Sequence, residues 1–307
     1  MAKNWTLVRR QGALRARANI IQAIRLFFIH QGYVEVETPH RIPAPAPEAH
    51  IDAVPSGSWF LHTSPELCMK RLLAAGYEKI FQICRCWREG ERGSQHTPEF
   101  TLLEWYRANS DYLGLMEECE ALIQRVASTL GLKETLRYRD QTIDLSRPWE
   151  RLSVDDAFQR YAQIPMKRAL VEHCFDEIMA EKIEPRLGRS KPTFLYDYPA
   201  ERAALARLKE GDPTQAERFE LYIGGLELAN AFSELIDPEE QRNRFLSEQA
   251  YRRSLSKPSS PLPEKFLTEL KTMPPAAGIA LGVDRLVMVM LDAHIIDDVV
   301  AFTPEEL

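Results

Sequence analysis

Between residues 11 and 30 the apolar positions Leu14, Ala18, Ile21, Ile24 and Phe28 recur at steps of three and four, the repeat of a helix with one buried face, and Gly32 stops it. Val34 and Val36 then alternate with Glu35 and Glu37 as far as Pro39, which predicts a short strand, and a loop follows with Pro43, Pro45 and Pro47. Residues 59–62 read as another strand. Ser64 and Pro65 predict a helix start, the hydroxyl as cap and the proline in the first turn, with Gly76 as the stop. Residues 79–87 and 99–106 are apolar and aromatic runs on either side of the charged stretch 88–98, so two antiparallel strands joined by a long loop are expected.

Residues 111–130 carry Leu115, Cys119, Leu122, Ile123 and Val126 on one helical stripe closed by Gly131. The pattern is weakest over 133–213, where the clearest signal is a helix opened by Ser153 with Asp156 three residues on. Runs 217–223 and 226–233 flank Gly224-Gly225, a two-residue hairpin turn whose positions both tolerate positive φ. Residues 278–282 lead directly into an apolar helix at Val283. Helices bracketing mostly antiparallel strands place the chain in the α+β class.

The hairpin permits a geometric step. With Gly224-Gly225 as the turn, Tyr222 stands opposite Glu227, and Glu220 lies diagonal to Glu227 on the same face, about 7 Å away. Two facing carboxylates repel unless a cation lies between them. Asn230 and Glu234 fall on the opposite face of a regular strand from Glu227, so a pocket that used all three would need a bulge or twist between Glu227 and Asn230. Glu104 and Tyr106 share a strand face, and a carboxylate among Leu102, Trp105 and Tyr106 suits a bound ammonium better than an apolar core.

Length and charge narrow the classes. The 307 residues give one large domain or two small ones, and 39 basic against 45 acidic side chains leave a net charge of −6, which argues against broad binding to a phosphate backbone. No run approaches the roughly 18 apolar residues of a membrane helix, and the basic N-terminus lacks a signal-peptide core, so a cytoplasmic protein is expected. Five scattered cysteines (Cys68, Cys84, Cys86, Cys119 and Cys174) read as free thiols. Cys84-x-Cys86 is too tight for the usual zinc spacing.

Three segments resemble, in order and spacing, the signature motifs of class II aminoacyl-tRNA synthetases in their lysine-specific wording. They are Gly32-Tyr33-Val34-Glu35-Val36-Glu37-Thr38-Pro39; Phe81-Gln82-Ile83-Cys84-Arg85 through Arg88, His96 and Pro98 to Tyr106; and Gly278-Ile279-Ala280-Leu281-Gly282-Val283-Asp284-Arg285-Leu286. Ser64-Pro65-Glu66 and the segment from Gly224 to Leu235 extend the match over nearly the whole chain. The first motif helix begins near the tenth residue, so no anticodon-binding domain is expected ahead of it. The chain thus resembles the elongation factor P lysine ligases, stand-alone relatives of lysyl-tRNA synthetase, and a single catalytic domain over 1–307 is expected.

The resemblance implies ATP-dependent activation of lysine, preferably (R)-β-lysine, as an adenylate and its transfer to a lysine ε-amine of elongation factor P, by a homodimer joined through the first helix, without tRNA and without a membrane. It assigns catalysis to Arg88 and Arg285, and ATP contacts to these with Glu91, His96, Phe100, Glu227, Leu228 and Gly282. It assigns Mg²⁺ to Glu220 and Glu227, and the amino acid to Ser64, Glu66, Glu104, Tyr106, Asn230, Glu234 and Ala280. The chain departs from the synthetases at Glu89-Gly90-Glu91 in place of Asn-Glu, at Thr97, and at Ala280 where they usually carry glycine. The ligases share that alanine. Rival readings are a truncated synthetase charging a small RNA and a catalytically silent regulator.

Overall fold

The structure, a computed structural model, describes residues 5–307. Helix α1 (Trp5–His30) turns at Gly32, φ +76°, into strand β1 (Val34–Glu35). Strands β2 (Arg41–Ile42), β3 (Pro55–Ser56) and β4 (Trp59–Leu61) form a small sheet in the order β2-β4-β3, and α2 (Glu66–Ala74) follows. The two apolar runs are β5 (Lys79–Trp87) and β6 (Glu99–Ala108), and α3 (Tyr112–Thr129) starts on an Asp111 cap that accepts from the Gly114 N–H. The middle region holds the hairpin β7 (Thr135–Tyr138) and β8 (Gln141–Asp144), then β9 (Glu150–Ser153), the short helices α4 (Val154–Ala157), α5 (Met166–Val171) and α6 (Phe175–Ile178), β10 (Thr193–Pro199) and β11 (Leu208–Lys209). Strands β12 (Asp212–Ile223) and β13 (Leu226–Ser233) form the Gly-Gly hairpin. Helices α7 (Pro238–Ser254) and α8 (Glu264–Leu270), strand β14 (Ala276–Gly282) and helix α9 (Val283–Met290) complete the order.

Two local expectations need correction. Strand β1 spans two residues rather than four: Val36 still donates to the Phe81 carbonyl, but Pro39 has no N–H with which to continue. Pro65, not Ser64, occupies the N-cap of α2, and the Ser64 hydroxyl reaches only the Glu66 N–H at 3.4 Å.

Among the described residues the main sheet has nine strands, in the order β1-β5-β6-β14-β13-β12-β10-β9 with β11 beside β12. Only β1/β5 and β9/β10 pair in parallel. Period-two alternation gives this sheet two unlike faces. Leu103 and Trp105 of β6, Ile279 and Leu281 of β14 and Phe219 and Leu221 of β12 point to one side, where α1, α3 and α9 cover them with Ile24, Phe28, Met116, Ile123, Leu286 and Val287. Each such side chain removed from water contributes about 1.5–3 kcal/mol. The intervening residues, Glu104, Tyr106, Ala280, Glu220 and Arg218, point to the other side, where the short helices α4 and α6 cover Leu195 and Tyr222 at the β10/β12 end and a cavity of about 1640 Å³ opens. Helices α2, α7 and α8 wall it at one end with a core of Leu67, Leu73, Phe245 and Phe266.

One polar knot ties the helical layer to the sheet. Arg17 of α1 lies 2.5 Å from Asp284 of α9 and donates to the Thr101 hydroxyl at 2.8 Å, while Asp284 accepts the Thr101 N–H at 2.7 Å. Both charges are nearly or wholly buried, so removing one strands the other. Asp284→Ala is expected to cost about 3–5 kcal/mol in urea unfolding. A loss below about 1 kcal/mol would show that the knot does not carry the fold.

Candidate active site

The cavity face is laid out in rows across the sheet, because residues directly opposite one another in antiparallel strands point the same way. One row runs Glu220–Asn230–Ala280–Glu104, and the next Arg218–Phe232–Gly278–Tyr106. The hairpin starts as expected, Tyr222 opposite Glu227, but the register then slips so that Leu221 faces Ala229 and Glu220 faces Asn230. Leu228 is the extra residue. This is the bulge that strand parity demanded, and it turns Asn230 onto the same face as Glu227.

At one end of the cavity lie the cations. Arg285 donates to the Glu227 carbonyl at 2.8 Å, approaches its carboxylate at 3.3 Å, and donates to His96 Nε2 at 2.5 Å. Burial and then Arg285 hold His96 below its usual value. Arg88 stacks over Phe100 at 5.0 Å, with Glu91 3.8 Å away, so the acid displaced by Gly90 still reaches this arginine. Glu220 accepts from Arg218 and from the Tyr222 hydroxyl, each at 2.6 Å. Burial and then Glu220 raise Glu227. Burial, Glu220 and Glu227 push Glu184, from the weakly patterned middle region, up to about 7.

At the other end lie the anions. The Tyr106 hydroxyl donates to Glu104 at 2.8 Å, and burial followed by Glu66 holds Glu104 far above the usual carboxylate range. Glu66 and Glu234 are bridged by Lys70, whose ammonium is 2.6 Å from the first and 2.5 Å from the second and is wholly buried. Its two carboxylates hold Lys70 above its usual value against the opposing effect of burial. Gly278 makes this packing possible: a Cβ there would stand 2.2 Å from the Tyr106 ring and 2.4 Å from Glu234 Oε1. Burial pushes Glu234 up to about 7, and its Oε1 is buried with no hydrogen-bond partner.

The family model for class II tRNA synthetases (D, K and N) matches residues 5–306. Curated relatives named elongation factor P–(R)-β-lysine ligase include those of Pectobacterium carotovorum (41% identical, 95% of both chains) and Hamiltonella defensa (38%, covering 99% of this chain and 98% of the relative). That of Vibrio atlanticus is 36% identical over 98% of both. The chain belongs to the class II synthetase family, with the elongation factor P ligases. The synthetase motifs therefore lie where the fold shows them: the first on α1 and β1, the second on β5 and β6, the third on β14 and α9.

Apart from Glu234, the residues expected of a class II site line one cavity. Glu234 follows β13 and lies over Gly278 on the cavity side of the sheet, beside Tyr106, where its carboxylate also holds the Lys70 ammonium. Sequence reasoning missed Lys70, Arg218, Glu184 and Glu48. Lys70 was findable, because it follows Glu66 by four on one helix face. Arg218 was findable too, two residues from Glu220 on one strand face. Cys84 and Cys86, whose spacing looked uninformative, meet His62 at 3.9 Å from Cys86, while His62 Nε2 is bonded to the Arg85 carbonyl at 2.6 Å.

A ligand ammonium at Glu234 requires the ionised carboxylate, whereas the empty pocket holds that group near 7, so binding releases a proton. The amino-acid KM in pyrophosphate exchange is therefore expected to be flat above pH 7.5 and to rise by up to tenfold per unit as pH falls below 7. Lys70→Met removes the cation that lowers Glu234 and moves this limb to higher pH. A KM independent of pH between 6 and 8 would sink the assignment.

Proposed function

We propose that this chain is a cytoplasmic, ATP-dependent ligase that activates lysine or (R)-β-lysine as an aminoacyl adenylate and transfers it to a lysine ε-amine of elongation factor P. The observation that carries the proposal is the polarity of a single cavity, with Arg88 and Arg285 at one end and Glu66, Glu104 and Glu234 around a buried lysine at the other. Attack of a carboxylate on the ATP α-phosphorus builds charge on phosphate oxygens, which fixed guanidinium groups stabilise. Arg88 grips the α-phosphate and the substrate carboxylate, Arg285 the γ-phosphate, and Phe100 stacks on adenine. The ammonium groups of the amino acid go to Glu66 and to Glu104, Tyr106 and Glu234. A neutral amino acid leaves those carboxylates uncompensated. The names of the relatives agree with this direction of chemistry, and two of them span 95% or more of this chain at 38–41% identity.

Glu220 and Glu227 share a face, burial and then Glu220 raise Glu227, and both offer hard oxygen donors, which fits Mg²⁺ held by one or two carboxylates and the nucleotide phosphates. When bound, the ion neutralises phosphate charge. Arg218 and Tyr222 then orient Glu220, and Arg285 orients Glu227. Among the described residues no helix is long and apolar enough to cross a membrane. Exposed apolar residues at both ends of α1, Trp5 and Val8 at one and Leu26 and Ile29 at the other, support a homodimer through that helix. Sedimentation at micromolar concentration reads this directly, and a monomer would remove it.

With Mg²⁺, ATP and lysine or β-lysine, the protein is expected to exchange labelled pyrophosphate, and Arg285→Ala to abolish exchange. Glu234→Gln is expected to cost on the order of 2–4 kcal/mol in kcat/KM for the amino acid, with little change in ATP binding. Exchange with no amino acid tested would end the enzyme reading. The acceptor is tested by offering the charged enzyme elongation factor P and total tRNA separately and following the labelled amino acid. Label on elongation factor P, lost when its target lysine is changed to arginine, is the expected result. Label on tRNA alone would transfer the assignment to the small-RNA reading.

A further inference from the structure

Transfer to a lysine amine poses a problem that the residues assigned so far leave open. The acceptor arrives as an ammonium, and with a side-chain pKa near 10.4 only about one in a thousand is neutral at pH 7.4. The ammonium has no lone pair, so a group at the reacting carbon must take its proton. The carboxylates that rise from the sheet, α2 and α9 are already committed: Glu66 to Lys70, Glu104 to Tyr106, Glu220 to Arg218 and Tyr222, Glu227 to Arg285, Asp284 to Arg17.

Glu48 is different. It sits in the loop between β2 and β3, lines the same cavity, and its side chain takes part in no hydrogen bond or ion pair among the described residues. The loop is held firmly. Arg252 of α7 donates to the Glu48 carbonyl at 2.8 Å, to the Ile51 carbonyl at 3.0 Å and to Asp52 at 2.7 Å, and the Ala49 N–H donates to Glu248 at 2.8 Å. Pro45 and Pro47 stiffen the approach. The charges that act on the Glu48 carboxylate are Arg88 just after β5, Glu66 on α2, Glu248 on α7 and Arg218 on β12. Arg88 and Glu66 are the two residues that flank the acyl group in the proposed function, one at the carboxylate and phosphate, the other at the neighbouring amine. A carboxylate that lines the cavity with both and feels the charge of both is placed to meet an amine approaching the acyl phosphate from the loop.

We infer that Glu48 is the proton acceptor for the incoming lysine amine in the transfer step, an inference that rests on the proposed function. The Glu48 carboxylate takes one proton from the acceptor ammonium. The freed lone pair attacks the acyl carbon, the C–N bond forms, the C–O bond to phosphate breaks, and the second nitrogen proton leaves with the AMP phosphate oxygen. Glu48 then returns its proton to solvent. Burial first, opposed by Arg88 and reinforced by Glu66 and Glu248, pushes Glu48 up to about 7, which suits a base working near neutrality.

The test separates the two half-reactions in the full-length enzyme. With adenylate preformed and elongation factor P added, Glu48→Gln should slow single-turnover transfer on the order of a hundredfold, with a much smaller effect on pyrophosphate exchange. Hydroxylamine is uncharged at pH 7 and needs no base, so it should intercept the adenylate of wild type and variant alike. Wild-type transfer should level off above pH 7, the variant should keep rising with unit slope in log rate, and Glu48→Asp should restore the plateau. Transfer by Glu48→Gln at the wild-type rate overturns the inference, as does a parallel loss of exchange and hydroxylamine interception. If wild-type adenylate reacts with hydroxylamine but never with elongation factor P, the proposed function itself fails and this inference falls with it.

Discussion

The buried ammonium of Lys70 between Glu66 and Glu234 is the interaction on which the amino-acid end of the molecule depends. Three charges out of water are costly to assemble, and each is tolerable only because the others are present. Lys70 stands on α2, Glu234 follows β13, and Gly278 of β14 leaves the space the Glu234 carboxylate occupies, so the triad locks a helix to the centre of the sheet. It also sets the charge of the pocket. Glu66, Glu104 and Glu234 against one ammonium leave a net charge of −2 when all are ionised, the complement of a substrate carrying two ammonium groups. With Lys70 replaced by an apolar residue the same carboxylates would meet each other, and protonation would relieve them.

The bulge at Leu228 does the corresponding work at the nucleotide end. Without the extra residue, Asn230 and everything after it on β13 would point into the helical core, and Glu220 and Glu227 would keep their face without a neighbouring amide. With it, one row of the sheet carries Glu220, Asn230, Ala280 and Glu104 in sequence. Ala280 and Gly278, two residues apart on β14, leave the middle of that floor almost bare. A methyl group at 280 lies beneath the region that joins the two ends, where the spacing between carboxylate and amine distinguishes an α- from a β-amino acid.

Much of this was legible in the chain. Period-two runs in β5, β6 and β13 and the Gly224-Gly225 turn are local signals, and the register they predicted is correct up to Glu227. Parity also stated that a bulge was needed, though not which residue would supply it, because a bulge is decided by the partner strand and by what the far face must bury. The spacings of Lys70 from Glu66 and of Arg218 from Glu220 were visible, but the burial that makes them matter was not. A lysine four residues from a glutamate on a helix reads as a surface pair, and only the docking of α2 against β14 shows that this one is buried. Glu48 left no signal at all, since its loop is placed by Arg252, some two hundred residues away in sequence.

Charge asymmetry along the cavity joins specificity to chemistry. In the proposed function, guanidinium groups at one end draw the carboxylate and phosphates, and carboxylates at the other draw the ammonium groups, so a lysine-like molecule has one orientation in which neither end opposes the field. That orientation is the one in which its carboxylate faces the α-phosphate. A neutral amino acid of the same shape would lose both binding energy and direction, and its carboxylate would reach the phosphate only as one of several poses. The same field acts on the acceptor. A second ammonium entering past Arg88 is repelled by that arginine and by the amine already bound, and it becomes a nucleophile only after losing its charge; the loop that brings Glu48 to the cavity supplies the group to which that proton can go.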